Sequence, residues 1–256
     1  VPFLAAVRFL TILPVGKRHL SEGELAASQG FFPLVGLLLG LALAGVDAGL
    51  SGIWPGGLSN AFLIAFLLVL TGASHMEGFL DTCDGLLGGH TREERLQIMR
   101  HGQVGAFAVA GGISLMLLKW GALLSLPQPA RFPILVLFPA LSRWSMVLAL
   151  RAFPYARREG LGSVFQRGST WPRTGIAAGI AFVAAVLLGG MGGAVLFIMV
   201  SLLAWLLGIA MSRLLGGLSG DTYGAINEIS EVIALAGAVA LAPLGLINTL
   251  PQLLGV

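Results

Sequence analysis

Residues 174–212 read TGIAAGIAFVAAVLLGGMGGAVLFIMVSLLAWLLGIAMS, almost wholly apolar and without a charged side chain. A helix needs about 20 largely apolar residues to cross a bilayer. The stretch holds two such runs, 174–190 and 193–212, and the GGMGG between them is enough for a tight hairpin. Five more runs of this kind lie at 31–50, 59–74, 104–125, 132–150 and 230–250. Gly and Ala recur inside them, which lets helices pack closely. The expected fold is all-α: a polytopic integral membrane helical bundle of about seven transmembrane helices with long loops on one side. Residues 1–14 are apolar but short, and fit an interfacial or re-entrant segment or an eighth span.

Composition agrees. Of 256 residues, 56% are hydrophobic and 11% charged, and the mean hydropathy is +0.91. A soluble domain carries about 25% charged residues, so too few polar groups remain here to cover a globule in water. The net charge of +3 does not point to nucleic acid. The basic residues sit in a few loops without interleaved aromatics, so the expected surroundings are a lipid bilayer. The one cysteine, Cys83, excludes an internal disulfide and a multi-cysteine metal site. The first residues are apolar before they are basic, the reverse of a secretory signal, and are expected to remain in the mature protein. No linker, repeat or low-complexity segment divides the chain, so residues 1–256 are read as one transmembrane catalytic domain.

Loops rich in arginine alternate with neutral ones. Arg92, Arg95 and Arg100 lie in 75–103, and Arg151, Arg157, Arg158, Arg167 and Arg173 in 151–173, whereas 51–58 and 190–193 have none. The positive-inside rule then makes the long loops cytoplasmic. The same topology places nine of the twelve acidic residues around the cytoplasmic ends of the spans.

Three of these acids lie in HMEGFLDTCDGLLGG, residues 75–89. Glu77, Asp81 and Asp84 are spaced i, i+4, i+7 and share one face of a helix. Like charges stacked this way repel, and a cation would neutralise them. Oxygen ligands suit Mg2+ or Mn2+, and Mg2+ uses one or two carboxylates together with substrate phosphates. Gly85, Gly88 and Gly89 follow, where a helix could end and phosphates could approach backbone N–H groups. The plainer alternative is a solvated helix end. His75 does not share the acidic face and reads as a packing residue.

A second acidic patch, GGLSGDTYGAINEISEVIAL at 216–235, places Asp221 and Glu228 seven apart. It suits either a site or acids set against a helix dipole. The loop YARREGLGSVFQRGSTWPR at 155–173 offers arginines that could bind phosphate or could simply set topology. Lys119, inside a span, needs a carboxylate partner if buried, or else snorkels to an interface. From these features alone, two classes remain. One is a metal-dependent phosphoryl-group transferase with a cytoplasmic site. The other is a cation transporter, which wants charges near the midplane and often inverted repeats; the acids gather at one face and no repeat is seen, which favours the enzyme.

HMEGFLDTCDGLLGG, followed by REERLQIMR and VGAF, resembles the signature of the cobalamin synthase family, the adenosylcobinamide-GDP ribazoletransferases. FLTILPVG (9–16), FFPLVGLLLG (31–40), SRWSMVLAL (142–150), FPYARREGLG (153–162) and GGLSGDTYGAINEISE (216–231) match in the same order, covering nearly the whole chain. The DxxDG element is also similar to CDP-alcohol phosphotransferases, but their further aspartates are missing. The resemblance implies a Mg2+-dependent transferase of the cell inner membrane. It would join adenosylcobinamide-GDP to α-ribazole or its 5′-phosphate in cobalamin (vitamin B12) biosynthesis, releasing GMP. It would work as a homo-oligomer or alongside other late cobalamin enzymes.

Residue by residue, the resemblance implies Glu77, Asp81 and Asp84 as metal ligands, with Glu77 where an aspartate is usual. It implies Asp81, Asp84, Asp221 and Glu228 in catalysis, and His75, Arg157, Arg158 and Glu159 in substrate binding. Where the family reads MKDSRIGAFG, this chain reads MRHGQVGAFA, so His101, Gly102 and Gln103 depart from the pattern. An imidazole at 101 could serve as the base in place of the usual carboxylate, or Asp221 could fill that role.

Overall fold

The computed structural model describes residues 2–16, 18–157 and 160–247. Among these residues the chain is helical, with no strand and one isolated bridge between Tyr155 and Leu218. The helix α1 (Pro2–Leu10) has nine residues. At 1.5 Å per residue it reaches about 14 Å, too short to cross a bilayer alone. It tucks Ala6, Val7 and Leu10 into the core instead. Helix α2 (Glu22–Ser28) opens with a capping box, in which Ser21 and Glu24 each accept the other's backbone N–H. Then come α3 (Phe32–Leu50), α4 (Gly56–Leu70), α5 (Ser74–Gly88), α6 (Arg92–Ile98) and α7 (Ala106–Ser125). Helices α8 (Gln128–Ala152), α9 (Leu161–Arg167), α10 (Trp171–Leu215) and α11 (Gly220–Leu241) complete the described fold.

Five helical segments are long and apolar enough to cross a membrane, and α4 with α5 forms a sixth if taken as one broken span. The break is sharp: Gly72 and Ala73 both take positive φ, and α5 leaves α4 at 94°. The longest segment, α10, is itself two arms. Its helical geometry fails at Gly190, with φ 58° and ψ −137°, a backbone that glycine adopts without a side-chain clash. A straight helix would hold Phe182 and Phe197 about 22 Å apart, yet their ring centroids are 5.4 Å apart. The chain therefore folds back, as GGMGG suggests. With α10 divided in this way, the segments are the seven read from the sequence. The last differs in extent, because α11 begins at Gly220 and ends at Leu241. Residues 220–229, expected as loop, are helical, and the end of the expected span 230–250 lies outside the described residues.

Helix α8 is the axis of the bundle, and almost all of it is buried. Helices α3, α10 and α11 pack on it. Trp144 stacks on Phe197 at 5.4 Å and donates to Ser201 at 2.8 Å. On α3, Gly36 and Gly40 lie against the α8 backbone at Pro139–Ala140 and Leu135–Val136, whereas Gly45 and Gly49 face open space.

The long connections collect at one end of the bundle. Arg92 donates to the Ala156 carbonyl at 3.3 Å. Ala156 N–H donates to the Leu218 carbonyl, and Gln29 to the Phe165 carbonyl. At the other end Arg131, in the first turn of α8, is held bidentately by Asp47 at 2.7 and 2.8 Å and by Asn60 at 2.6 Å. Its charge is thus matched within the fold.

The two glycine pairs of α3 make the packing testable. Gly36→Leu is expected to abolish recovery of folded protein from detergent, because the α8 backbone cannot yield. Gly45→Leu is expected to behave as wild type in the same size-exclusion and thermal-unfolding measurements.

Candidate active site

Helices α5 and α11 cross where each carries a glycine. A Cβ on Gly78 would sit 2.8 Å from the Asp221 carbonyl, and one on Gly224 would sit 2.8 Å from the His75 carbonyl. With only hydrogens there, the backbones meet, and the acidic face of α5 is brought to the first turn of α11. Asp81 consequently lies within electrostatic reach of Asp221, Glu77, Arg157 and Asp84. Of the second acidic patch, Asp221 is thus brought to the acids of the first.

The three acids of α5 share a face, as their spacing requires, but not an environment. Glu77 is exposed, Asp81 half-buried and Asp84 buried. Asp84 accepts the backbone N–H of Gly105 at 2.6 Å and of Ala108 at 2.8 Å. It caps α7, whose own N-cap residue, Gly105, has no side chain to do so. The spacing did not reveal this role. The signal available was VGAF itself, a helix start preceded by glycine and lacking a local acceptor.

Asp221 faces Arg157, whose Nη2 donates to it at 2.6 Å. The arginine is placed by its loop. Leu218 N–H donates to the Pro154 carbonyl at 2.8 Å, and Ala156 N–H to the Leu218 carbonyl at 2.7 Å, tying 154–156 to the entry of α11. Tyr155 and Tyr223 stack at 6.5 Å across this tie, and burial pushes the Tyr155 hydroxyl pKa up. The Arg157 Nε is buried without a partner among the described residues. Arg158 and Glu159 lie outside the described residues.

Helix α6 and the following loop divide two clefts. One, of about 620 Å³, is lined by Asp84, Gln97, His101 and Gln103 among others. The other, of about 580 Å³, is lined by Arg100, His101 and Arg157 among others. His101 is exposed to both, and its Nδ1 lies 2.7 Å from the Gln97 carbonyl. A carbonyl only accepts, so Nδ1 carries the proton in that contact. At the start of α6, Glu94 accepts the His90 N–H at 2.8 Å, and that bond holds its carboxyl below the usual range. Of the glycines after Asp84, Gly88 lines the larger cleft. Gly85 lies against Met99 and Gly89 against Arg95, so they let α6 pack on α5.

Glu228 is elsewhere. With Glu231 it lies deep in α11, not at the membrane face where the sequence reading put both. Lys119 donates to Glu228 at 2.5 Å and to Glu231 at 2.6 Å, and Arg143 donates to Glu231 at 2.5 Å. All four side chains are buried. Two cations thus match two anions inside the bundle, and Lys119 has the carboxylate partner its position demands. The cavity beside them is about 20 Å³, room for roughly one water. His75 is also buried, within electrostatic reach of Arg143, Glu231 and Lys119.

Among the described residues no group of three or more His, Cys, Asp or Glu is arranged to hold a metal ion unaided. Asp84 is committed to α7 and Asp221 to Arg157. Glu77 and Asp81 remain, on the open side. Two hard carboxylates fit an ion that takes its other ligands from substrate phosphates and water, and do not fit an all-protein cage.

The chain matches the cobalamin-5-phosphate synthase family over residues 2–239. It is 39% identical over 252 residues to the adenosylcobinamide-GDP ribazoletransferase of Roseiflexus sp. (strain RS-1), covering 97% of this chain and 92% of that one. It is 40% identical over 246 residues to the enzyme of that name from Desulfitobacterium hafniense (strain Y51), covering 92% and 95%. For the enzyme of that name from Escherichia coli O45:K1 (strain S88 / ExPEC), identity is 36% over 248 residues, covering 91% and 97%. No solved structure matches.

These placements separate structural carboxylates from available ones. Asp84→Ala strips the cap of α7 and is expected to cost about 1–2 kcal/mol of stability in thermal or denaturant unfolding. Asp81→Asn relieves like-charge crowding and is expected to cost none. Lys119→Met leaves two buried carboxylates short of a cation and is expected to cost about 3–5 kcal/mol, with Glu228→Gln in the same chain restoring part of it.

Proposed function

The chain belongs to the cobalamin-5-phosphate synthase family, and from that premise we propose that it catalyses the transfer for which its curated relatives are named. Adenosylcobinamide-GDP is the donor and α-ribazole or its 5′-phosphate the acceptor. The products are adenosylcobalamin or its phosphate, and GMP. The observation that carries the reading is the α5–α11 crossing, which brings Asp81 within electrostatic reach of Asp221 and Arg157, with Arg157 lining one of the large clefts.

In this reading a ribose hydroxyl of the acceptor attacks the phosphorus on the corrinoid side of the donor diphosphate. A new P–O bond forms, the bridging P–O bond breaks, and GMP leaves with the bridging oxygen. Arg157 holds phosphate oxygens. Asp221 accepts the attacking hydroxyl and orients it. His101, facing both clefts, takes the hydroxyl proton where the family usually carries a carboxylate. Glu77 and Asp81 would hold Mg2+, or Mn2+ in its place, which when bound offsets charge on the diphosphate oxygens. Asp84 keeps α5 and α7 in register beneath them. The arginine-rich end is assigned to the cytoplasm on the distribution of loop arginines, and the bundle to the cell inner membrane on the family resemblance.

The test is turnover by the full chain in lipid, supplied with both substrates, with and without Mg2+, following GMP and the corrinoid product. Metal-dependent formation of both is expected, and a chain that makes neither contradicts the assignment. Asp81→Asn and His101→Ala are each expected to lower kcat roughly a hundredfold while unfolding like wild type. Full turnover by His101→Ala would move the base to Asp221.

A further inference from the structure

We propose that the cavity between α1, α3, α5, α8, α9 and α11 receives the flat heteroaromatic base of the acceptor nucleoside. The proposal rests on the functional reading above and adds to it the place where half of the acceptor binds. The cavity is about 230 Å³, smaller than a site for a drug-sized molecule. It is far too small for a corrin and suits one fused pair of rings.

Its walls are aromatic. Phe165 of α9 lies with its ring centroid 4.5 Å from Phe9 and 5.6 Å from Phe32, and Phe9 and Phe32 stack at 5.7 Å. Such faces hold a planar ring through burial and offset stacking. Tyr223 of α11 and His75 at the start of α5 also line it.

Two of the lining residues carry an unpartnered polar atom. The Tyr223 Oη and the His75 Nδ1 are buried with no hydrogen-bond partner among the described residues, in side chains only 4% and 6% exposed. A buried polar group left unmade costs about 1–3 kcal/mol, so such atoms are rare in a native fold. An acyl chain would leave both unmade. A benzimidazole-type base fits better, because its unsubstituted ring nitrogen accepts a hydrogen bond in the plane of the ring.

The position agrees with the chemistry. Gly220 and Gly224 of α11 also line the cavity, and Asp221 lies between them in sequence. A base seated here would leave its ribose beside Asp221. The loop bearing Arg157 continues into α9, so the segment that reaches for phosphate also supplies the Phe165 wall. Gln29 Nε2 donates to the Phe165 carbonyl at 3.3 Å and fixes that wall.

Two variants of the full chain in lipid test this. Phe165→Trp fills the cavity, and Tyr223→Phe removes one oxygen. Each is expected to raise KM for α-ribazole roughly tenfold, the size of one lost buried hydrogen bond or a blocked ring site, and to leave KM for adenosylcobinamide-GDP unchanged. In wild type, free 5,6-dimethylbenzimidazole should inhibit competitively against α-ribazole and not against the donor, and Phe165→Trp should lose that inhibition. An unchanged α-ribazole KM in both variants, or equal shifts for both substrates, would overturn the proposal. Should Phe165→Trp fail to fold, Tyr223→Phe and the wild-type inhibition pattern decide. A wild-type protein that makes no product overturns the functional reading itself, and this site with it.

Discussion

The fold turns on a charge problem solved inside the bilayer. Lys119, Arg143, Glu228 and Glu231 sit where isolated charges are costly, and each is matched within 2.6 Å by an opposite charge. The network joins α7, α8 and α11. It fixes rotation as well as proximity, because a carboxylate turned away from its cation would be buried alone. Asp221 lies two turns before Glu228 on the same helix, so the rotation that satisfies Glu228 also fixes where Asp221 points. The glycine contact of α5 with α11 then carries Asp81 to it. Chemistry at the membrane surface is thus placed by electrostatics in its interior.

The carboxylates show how far environment decides role. Asp84, with both oxygens on backbone N–H groups, stabilises a helix start. Glu228 and Glu231 neutralise buried cations. Asp47 neutralises Arg131 at the far end. Glu77 and Asp81 have no such partner among the described residues, and they face the side from which a phosphorylated substrate would arrive. Asp221 stands between the two conditions, paired with Arg157 of the loop before α9.

Much of this was legible in the sequence. Apolar runs of spanning length, interrupted by glycine and arginine-rich loops, specify a membrane bundle because little else can bury them. GGMGG marks the hairpin at Gly190, and the helical spacing of Glu77, Asp81 and Asp84 marks their common face. Periodicity says nothing of what that face meets. The capping of α7 by Asp84 spans 21 residues to Gly105, and the pairing of Lys119 with Glu228 spans 109. Contacts at that range come from tertiary packing, which local pattern does not encode. The same limit explains Gly85 and Gly89: glycine beside an acid suits a phosphate loop or a close helix crossing equally, and only the position of α6 decides. Lys119 was the clearest pointer to the interior, since a cation within a span demands a partner, but the sequence did not say which one.

The central claim is that Asp81 and Asp221, 140 residues apart in sequence, act on one substrate in one site. A double-mutant cycle on kcat/KM tests it most directly, using Asp81→Asn, Asp221→Asn and the pair. Residues that share a site are strongly non-additive, so the double variant should lose little more than the worse single one. Losses that simply multiply would contradict a shared site, and would return the α5 acids to the role of a solvated helix face.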